Sequence, residues 1–153
     1  MPDRIVIADA STLIGLHNLT SLELLHELYG HVEVTTIVKE EAAIDLPDWI
    51  RVDDNYNRDV YRSLLPSLDA GEASSIALAL ALENTLLIID ERKGRRRAKS
   101  LGIVITGLIG ILIRAKQRDL ISSGKDKLDN LREQGFRLSE KIYELALREM
   151  KEK

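Results

Sequence analysis

Short apolar runs alternate along this chain with longer segments of helical periodicity. Arg4-Ile-Val-Ile-Ala-Asp9 and Leu86-Leu-Ile-Ile-Asp90 are apolar at successive positions, the pattern of strands buried on both faces. Val32-Glu-Val-Thr35 and Ile103-Val-Ile105 read as two further strands, and Ile50-Arg-Val52 as a shorter one. Asp9 or Ser11 can cap the helix that follows the first strand. Leu19, Leu22, Leu25 and Leu28 recur at helical spacing, which predicts a helix over 20–29 ending at Gly30. Thr36 is placed to cap a helix carrying Val38 to Ala43. Residues 54–65 read as a helix that stops at Pro66. Asp69-Ala-Gly-Glu72 has the spacing of a capping box and opens a helix rich in alanine. Thr106 precedes a helix over 107–117. Residues 125–150 read as two short helices broken near Gly135, the second with Leu138, Ile142, Leu145 and Met150 as its apolar stripe.

Buried strands alternating with helices require crossover connections, hence a parallel sheet covered on both faces. The expected fold is a three-layer α/β/α sandwich around a central parallel sheet. At 153 residues the chain is the size of one domain, 1–153, with 125–153 as a C-terminal helical appendage.

Composition narrows the chemistry. Aromatic residues are 4% of the chain, so aliphatic side chains must build the core. The absence of cysteine removes disulfides, thiolate nucleophiles, Cys-ligated zinc and iron–sulfur clusters. The first apolar run is too short for a secretory signal, and the longest, Leu101 to Ile113, suits buried core rather than a membrane span. The expected compartment is the cytoplasm, with no membrane partner. The net charge of -3 hides an asymmetry: residues 92–99 hold six cations and no acid, leaving 16 basic against 25 acidic residues elsewhere.

In an open parallel sheet, ligands bind beyond the carboxyl ends of the strands. Asp9 and Asp90 end two strands at that edge. Glu72 and Glu41 (or its neighbour Glu40) start or ride on helices that can approach it. Carboxylates brought together repel one another, and a hard divalent cation relieves the repulsion. All-oxygen donors suit Mg²⁺ or Mn²⁺ rather than zinc. Such a cluster can activate water and stabilise charge on a phosphodiester. Each acid also has an ordinary reading. Asp9 can be a helix cap, Asp90 a cap for the basic segment, Glu72 half of a capping box, and Glu41 an exposed helical glutamate. Arg92, Lys93, Arg95, Arg96, Arg97 and Lys99 follow Asp90 directly and can contact the phosphates of a polyanion. No aromatic residue interleaves with them, so base stacking is not signalled there. Gly107-Leu-Ile-Gly110 matches no phosphate-binding loop, and His17, His26 and His31 are not spaced as a helical metal pair.

These stretches together resemble the PIN-domain (PilT N-terminus) ribonucleases. Ile5-Val-Ile-Ala-Asp9-Ala-Ser11-Thr12 is similar to that family's first strand and first acid, and Val38-Lys-Glu-Glu41 to its second-acid segment. Leu68-Asp-Ala-Gly-Glu72, Leu87-Ile-Ile-Asp90 through Leu101-Gly102, Val104-Ile-Thr106-Gly107 and Gly135-Phe136-Arg-Leu-Ser139 resemble a subgroup of short prokaryotic PIN-like proteins. The resemblance implies an Mg²⁺- or Mn²⁺-dependent endoribonuclease. Asp9, Glu41, Glu72 and Asp90 would hold the acidic positions, and Ser11 would order the first acid or a metal-bound water. It also implies RNA as substrate, a small antitoxin as partner, a toxin role and a homodimer.

Overall fold

The computed structural model describes residues 4–153; residues 1–3, the start of the domain expected over 1–153, lie outside the described residues. Five strands, β1 (Ile5–Ala8), β2 (Val32–Val34), β3 (Ile50–Val52), β4 (Thr85–Ile88) and β5 (Val104–Thr106), form one sheet. Its order is β3-β2-β1-β4-β5 and every pairing is parallel. Nine helices flank the sheet among the described residues: α1 (Ala10–Asn18), α2 (Glu23–Tyr29), α3 (Thr36–Ala42), α4 (Arg58–Leu64), α5 (Ala70–Ala81), α6 (Arg92–Ser100), α7 (Leu108–Gln117), α8 (Gly124–Glu133) and α9 (Glu140–Glu149). This is the expected α/β/α sandwich.

Alternation along the central strands sorts the core into two layers. Val6, Ala8, Leu86 and Ile88 point into a cluster with Leu13, Leu16, Leu25, Leu108 and Ile111. Ile7, Leu87 and Ile89 point the other way, onto Leu64, Ala73, Ile76 and Ala98. The strands therefore need apolar side chains at every position, as their sequence shows. Helix α5 is buried from Gly71 to Ala79, and its run of Gly, Ala and Ser lets it lie close to its neighbours. Among the described residues, no helix is long and apolar enough to cross a membrane.

The chain starts in the middle of the sheet, builds β2 and β3 to one side, then returns to add β4 and β5 on the other. The reversal lies between β1 and β4, whose registers pair Ile7 with Leu87 and Ala8 with Ile88. A crevice opens at such a switch point beyond the carboxyl ends of the strands. Asp9 and Asp90 flank that crevice.

Local chemistry moved several boundaries. The cap of α3 is Thr35, whose Oγ1 accepts from the Val38 N–H at 3.2 Å; Thr36 instead hydrogen-bonds Asp54 through its backbone and its hydroxyl. Asn57 caps α4 by accepting from Asp59 and Val60, so that helix starts later than residue 54. Helix α9 is turned relative to the expected stripe. Tyr143, Ala146, Leu147 and Met150 are buried, whereas Ile142 is 43% and Leu145 49% exposed. Both sets have helical spacing, so only the packing of α9 against α7 and α8 selects between them. The buried set shares the cluster of α7 and β1, as do Leu128 and Leu131 of α8. Leu147→Ala is expected to cost about 2–5 kcal/mol of unfolding free energy, and Leu145→Ala less than about 0.5 kcal/mol. Denaturant unfolding of the two variants checks the orientation of α9.

Candidate functional site

The switch-point crevice is a cleft of about 650 Å³ with Asp9, Asp69, Glu72 and Asp90 in its wall. Glu91, Ser11 and Lys93 also line it, and residues 135–137 of the α8–α9 connection close one side.

Asp9 sits at the N-cap position of α1, yet its side chain makes no cap hydrogen bond. It is 4% exposed, and among the described residues its buried Oδ1 has no hydrogen-bond partner. The capping reading of Asp9 therefore fails. Burial pushes its carboxyl up to about 7; the Ala10 N–H works against the rise, and the charges of Asp69, Glu41 and Asp90 add to it.

Glu72 carries both of its sequence readings at once. Its backbone N–H donates to Asp69 Oδ1 at 2.9 Å and its Oε1 accepts from the Asp69 N–H at 3.3 Å, which closes the capping box. The box consumes one carboxylate oxygen. The other, Oε2, is buried without a partner among the described residues, and the residue is 3% exposed. Burial and then the Asp69 and Asp9 charges hold the Glu72 carboxyl above the usual carboxylate range.

Asp90 is a cap, but for a different helix from the one expected. Its Oδ1 accepts from the Leu108 N–H at 2.8 Å, at the start of α7, while its Oδ2 accepts from the Thr12 hydroxyl at 2.7 Å. It thus ties α1 to α7 across the switch point. Gly107 supplies no side chain to cap α7, and a Cβ there would stand 2.7 Å from Asp90 Oδ1 and from Arg95 Nη1.

Of the adjacent pair on α3, Glu41 is the residue whose charge reaches Asp9. It lies outside the cleft wall, with its carboxylate against Gly71 in the first turn of α5. Burial, then Asp69, raises its pKa, and the Gly71 N–H lowers it. Ser11 is exposed, lines the cleft and makes no hydrogen bond to Asp9.

Two residues of this region carry no site signal in the sequence. Asp69 raises Asp9, Glu41 and Glu72 alike, but its place in a capping box explains it fully at the level of spacing. Thr12 holds Asp90 from 78 residues away, which no local pattern announces.

The cations of α6 spread around the helix. Arg92, Arg95, Arg96 and Lys99 line a groove of about 680 Å³ that shares Asp90 with the acidic cleft. Lys93 reaches the cleft itself, and Arg97 lies with Lys93 on another side of α6, beside Ser67 and Leu68. Arg95 is partly engaged within the fold, its Nη1 donating to the Ile89 carbonyl at 2.8 Å.

Among the described residues, no three carboxylate or imidazole side chains stand close enough to hold a metal ion together. The donor chemistry nevertheless fits a hard cation, because two buried carboxylate oxygens lack partners and Mg²⁺ needs only one or two carboxylates alongside its waters. Gly94 on α6 keeps the space beside Glu72 open. A Cβ there would lie 2.8 Å from Glu72 Oε2 and 2.6 Å from Ile89 Cδ1. Inside a helix, Gly→Ala normally stabilises by about 1 kcal/mol. Gly94→Ala is expected to do the reverse, lowering stability by about 1–3 kcal/mol through overpacking and weakening Mn²⁺ binding. Thermal unfolding with and without Mn²⁺ checks both signs.

An all-parallel α/β/α sheet, with buried carboxylates at its switch point and a cationic helix beside them, has the layout of a nuclease fold. The chain belongs to the PIN-domain family: the family model DUF3368, a PIN domain, matches residues 5–152. PIN domains are generally nucleases and typically use divalent metals. No curated protein and no solved structure gives a significant match to the chain.

Proposed function

We propose that this protein is a divalent-cation-dependent endoribonuclease that hydrolyses RNA phosphodiester bonds in the Asp9–Glu72 cleft. The observation that carries the reading is the pair of buried, partnerless oxygens, Asp9 Oδ1 and Glu72 Oε2. A fold that buries two such oxygens destabilises itself unless a cation or proton joins them. Asp9 and Glu72 would hold Mg²⁺ or Mn²⁺, with Glu41, Asp69 and Asp90 adding negative charge around them. When bound, such an ion lowers the pKa of water and offsets charge developing on the phosphate. Asp90 keeps α1 and α7 in register at the cleft. Ser11 offers a hydroxyl to an attacking water, and Lys93 meets the phosphate. Arg92, Arg96, Arg97 and Lys99 carry the RNA backbone on either side of α6. The toxin role, a small antitoxin partner, a homodimer and a cytoplasmic location belong to the proposal through the family resemblance.

The test is cleavage of a labelled single-stranded RNA by the purified chain. Millimolar Mn²⁺ or Mg²⁺ is expected to produce fragments, and excess chelator to stop them. Fragmentation that persists in chelator would overturn the metal requirement.

The engagement of both Asp90 oxygens favours a second reading, a non-catalytic PIN-fold module that binds RNA or protein. A ligand that binds only the folded state stabilises it by mass action. No thermal shift at millimolar Mn²⁺, with RNA bound but uncut, would select this reading.

A further inference from the structure

The first three residues of the motif Gly135-Phe136-Arg-Leu-Ser139 reach the acidic cleft, a place that no local pattern assigns them. Residues 135–137 line the same cleft as Asp9, Glu72 and, from α6, Lys93.

The connection is firmly built. Gly135 adopts φ +91, a left-handed conformation that ends α8, and its N–H donates to the Arg132 carbonyl. The Phe136 N–H donates to the Leu131 carbonyl at 3.0 Å. Gln134 Nε2 reaches across to the Asn18 carbonyl at the end of α1. Arg132 Nη2 holds the Leu138 carbonyl at 3.3 Å and Glu140 at 3.0 Å, with its guanidinium stacked 4.0 Å over the Tyr143 ring. Ser139 caps α9 through the Ile142 N–H. Leu138 and Phe136 pack against the core cluster.

Amid these anchored neighbours Arg137 makes no ion pair and no hydrogen bond among the described residues, and it is exposed. Arg137 lines the cleft with its donors free among the described residues. A planar guanidinium with five donors matches a phosphate in a bidentate way.

We propose that Arg137 is a phosphate-binding residue of the RNA site, gripping the backbone from the α8–α9 wall while Lys93 meets it from the α6 wall. The inference rests on the RNA-cleaving reading of the cleft and deepens it. The strand would run between the two walls, over the carboxylates. Phe136 beside Arg137 gives that wall an apolar surface next to the held phosphate.

The test uses the full chain in two backgrounds. In the Asp9→Asn protein, Arg137→Ala is expected to weaken binding of a short single-stranded RNA about tenfold. The slope of log affinity against log salt should fall in magnitude by about 0.7, the signature of one lost phosphate contact. Arg137→Lys should restore most of that slope. In the otherwise wild-type protein, Arg137→Ala is expected to slow Mn²⁺-dependent cleavage about 100-fold, with the melting temperature unchanged. An unaltered salt slope, or cleavage at the wild-type rate, would overturn the role of Arg137 and leave the nuclease reading intact. Loss of RNA affinity in a protein that never cleaves would support Arg137 and overturn the nuclease reading. A parent protein that binds no RNA would overturn both.

Discussion

Replacing Asp9 with Asn is expected to reduce RNA cleavage by about 10³-fold or more and, with no divalent cation present, to raise the melting temperature. The two effects have one cause. Asp9 Oδ1 is buried with no partner, so its negative charge serves the fold only when a cation joins it. Losing an anchor for such a cation forfeits several kcal/mol of transition-state stabilisation, and each 1.36 kcal/mol is tenfold in rate. Without a cation the charge is a burden. Lifting a carboxyl from 3.8 to about 7 corresponds to about 4 kcal/mol once the group is ionised. The amide of Asn is nearly isosteric and uncharged but still polar and unpartnered, at about 1–3 kcal/mol. The net gain is about 1–3 kcal/mol, seen as a higher melting temperature in chelator at pH 8. Adding Mn²⁺ should stabilise the wild type and leave Asp9→Asn nearly unmoved. A variant that melts below the wild type in chelator, or that cleaves RNA as fast, would contradict the assignment. Functional sites that cost stability are a common outcome of selection for activity.

The metal-free protein is expected to lose stability as pH rises from about 4 to about 7. In the unfolded chain Asp9 releases its proton near 3.8; in the fold it holds it until about 7. Between those values the native state binds the extra proton, so unfolding becomes easier by about 1.4 kcal/mol per pH unit for one such group. The stabilising proton is fully present below the lower value and gone above the higher one. Glu72 and Glu41, both raised by burial and neighbouring acids, act in the same direction. At about 2–4 °C per kcal/mol, the melting temperature should fall by several degrees across this window. Subtracting the Asp9→Asn curve isolates the Asp9 share from ordinary acid denaturation at lower pH. Because a cation binds the ionised carboxylates, its thermal shift should be larger at pH 7.5 than at pH 5.5. A flat difference curve would show that Asp9 is not held protonated by the fold.

Most of the architecture was legible because a few residues punctuate it. The apolar runs at 5–8 and 86–89 have the pattern of strands covered on both faces. Gly30 and Gly135 mark left-handed turns that end α2 and α8. The Asp69–Glu72 spacing named its own capping box. Where two local solutions were equivalent, the pattern could not choose. Thr35 and Thr36 are both good caps, and the C-terminal segment offers two apolar stripes, the expected 138, 142, 145 and 150 and the buried 143, 146, 147 and 150. Neighbouring elements made each choice. Asp54 took Thr36, and the packing of α7 and α8 buried Tyr143 and Leu147.

The sequence alone determined the layering, the parallel sheet and the arrival of Asp9 and Asp90 at one sheet edge, because periodicity and chain connectivity are local properties. Only the tertiary structure decided what each acid does there. Hydrogen-bond satisfaction depends on groups far apart in the chain, and it separated the partnerless oxygens of Asp9 and Glu72 from Asp90, whose oxygens are held by Thr12 and the start of α7. The same long-range packing brought Arg137, more than 120 residues beyond Asp9, to the wall of the cleft that Asp9 helps form.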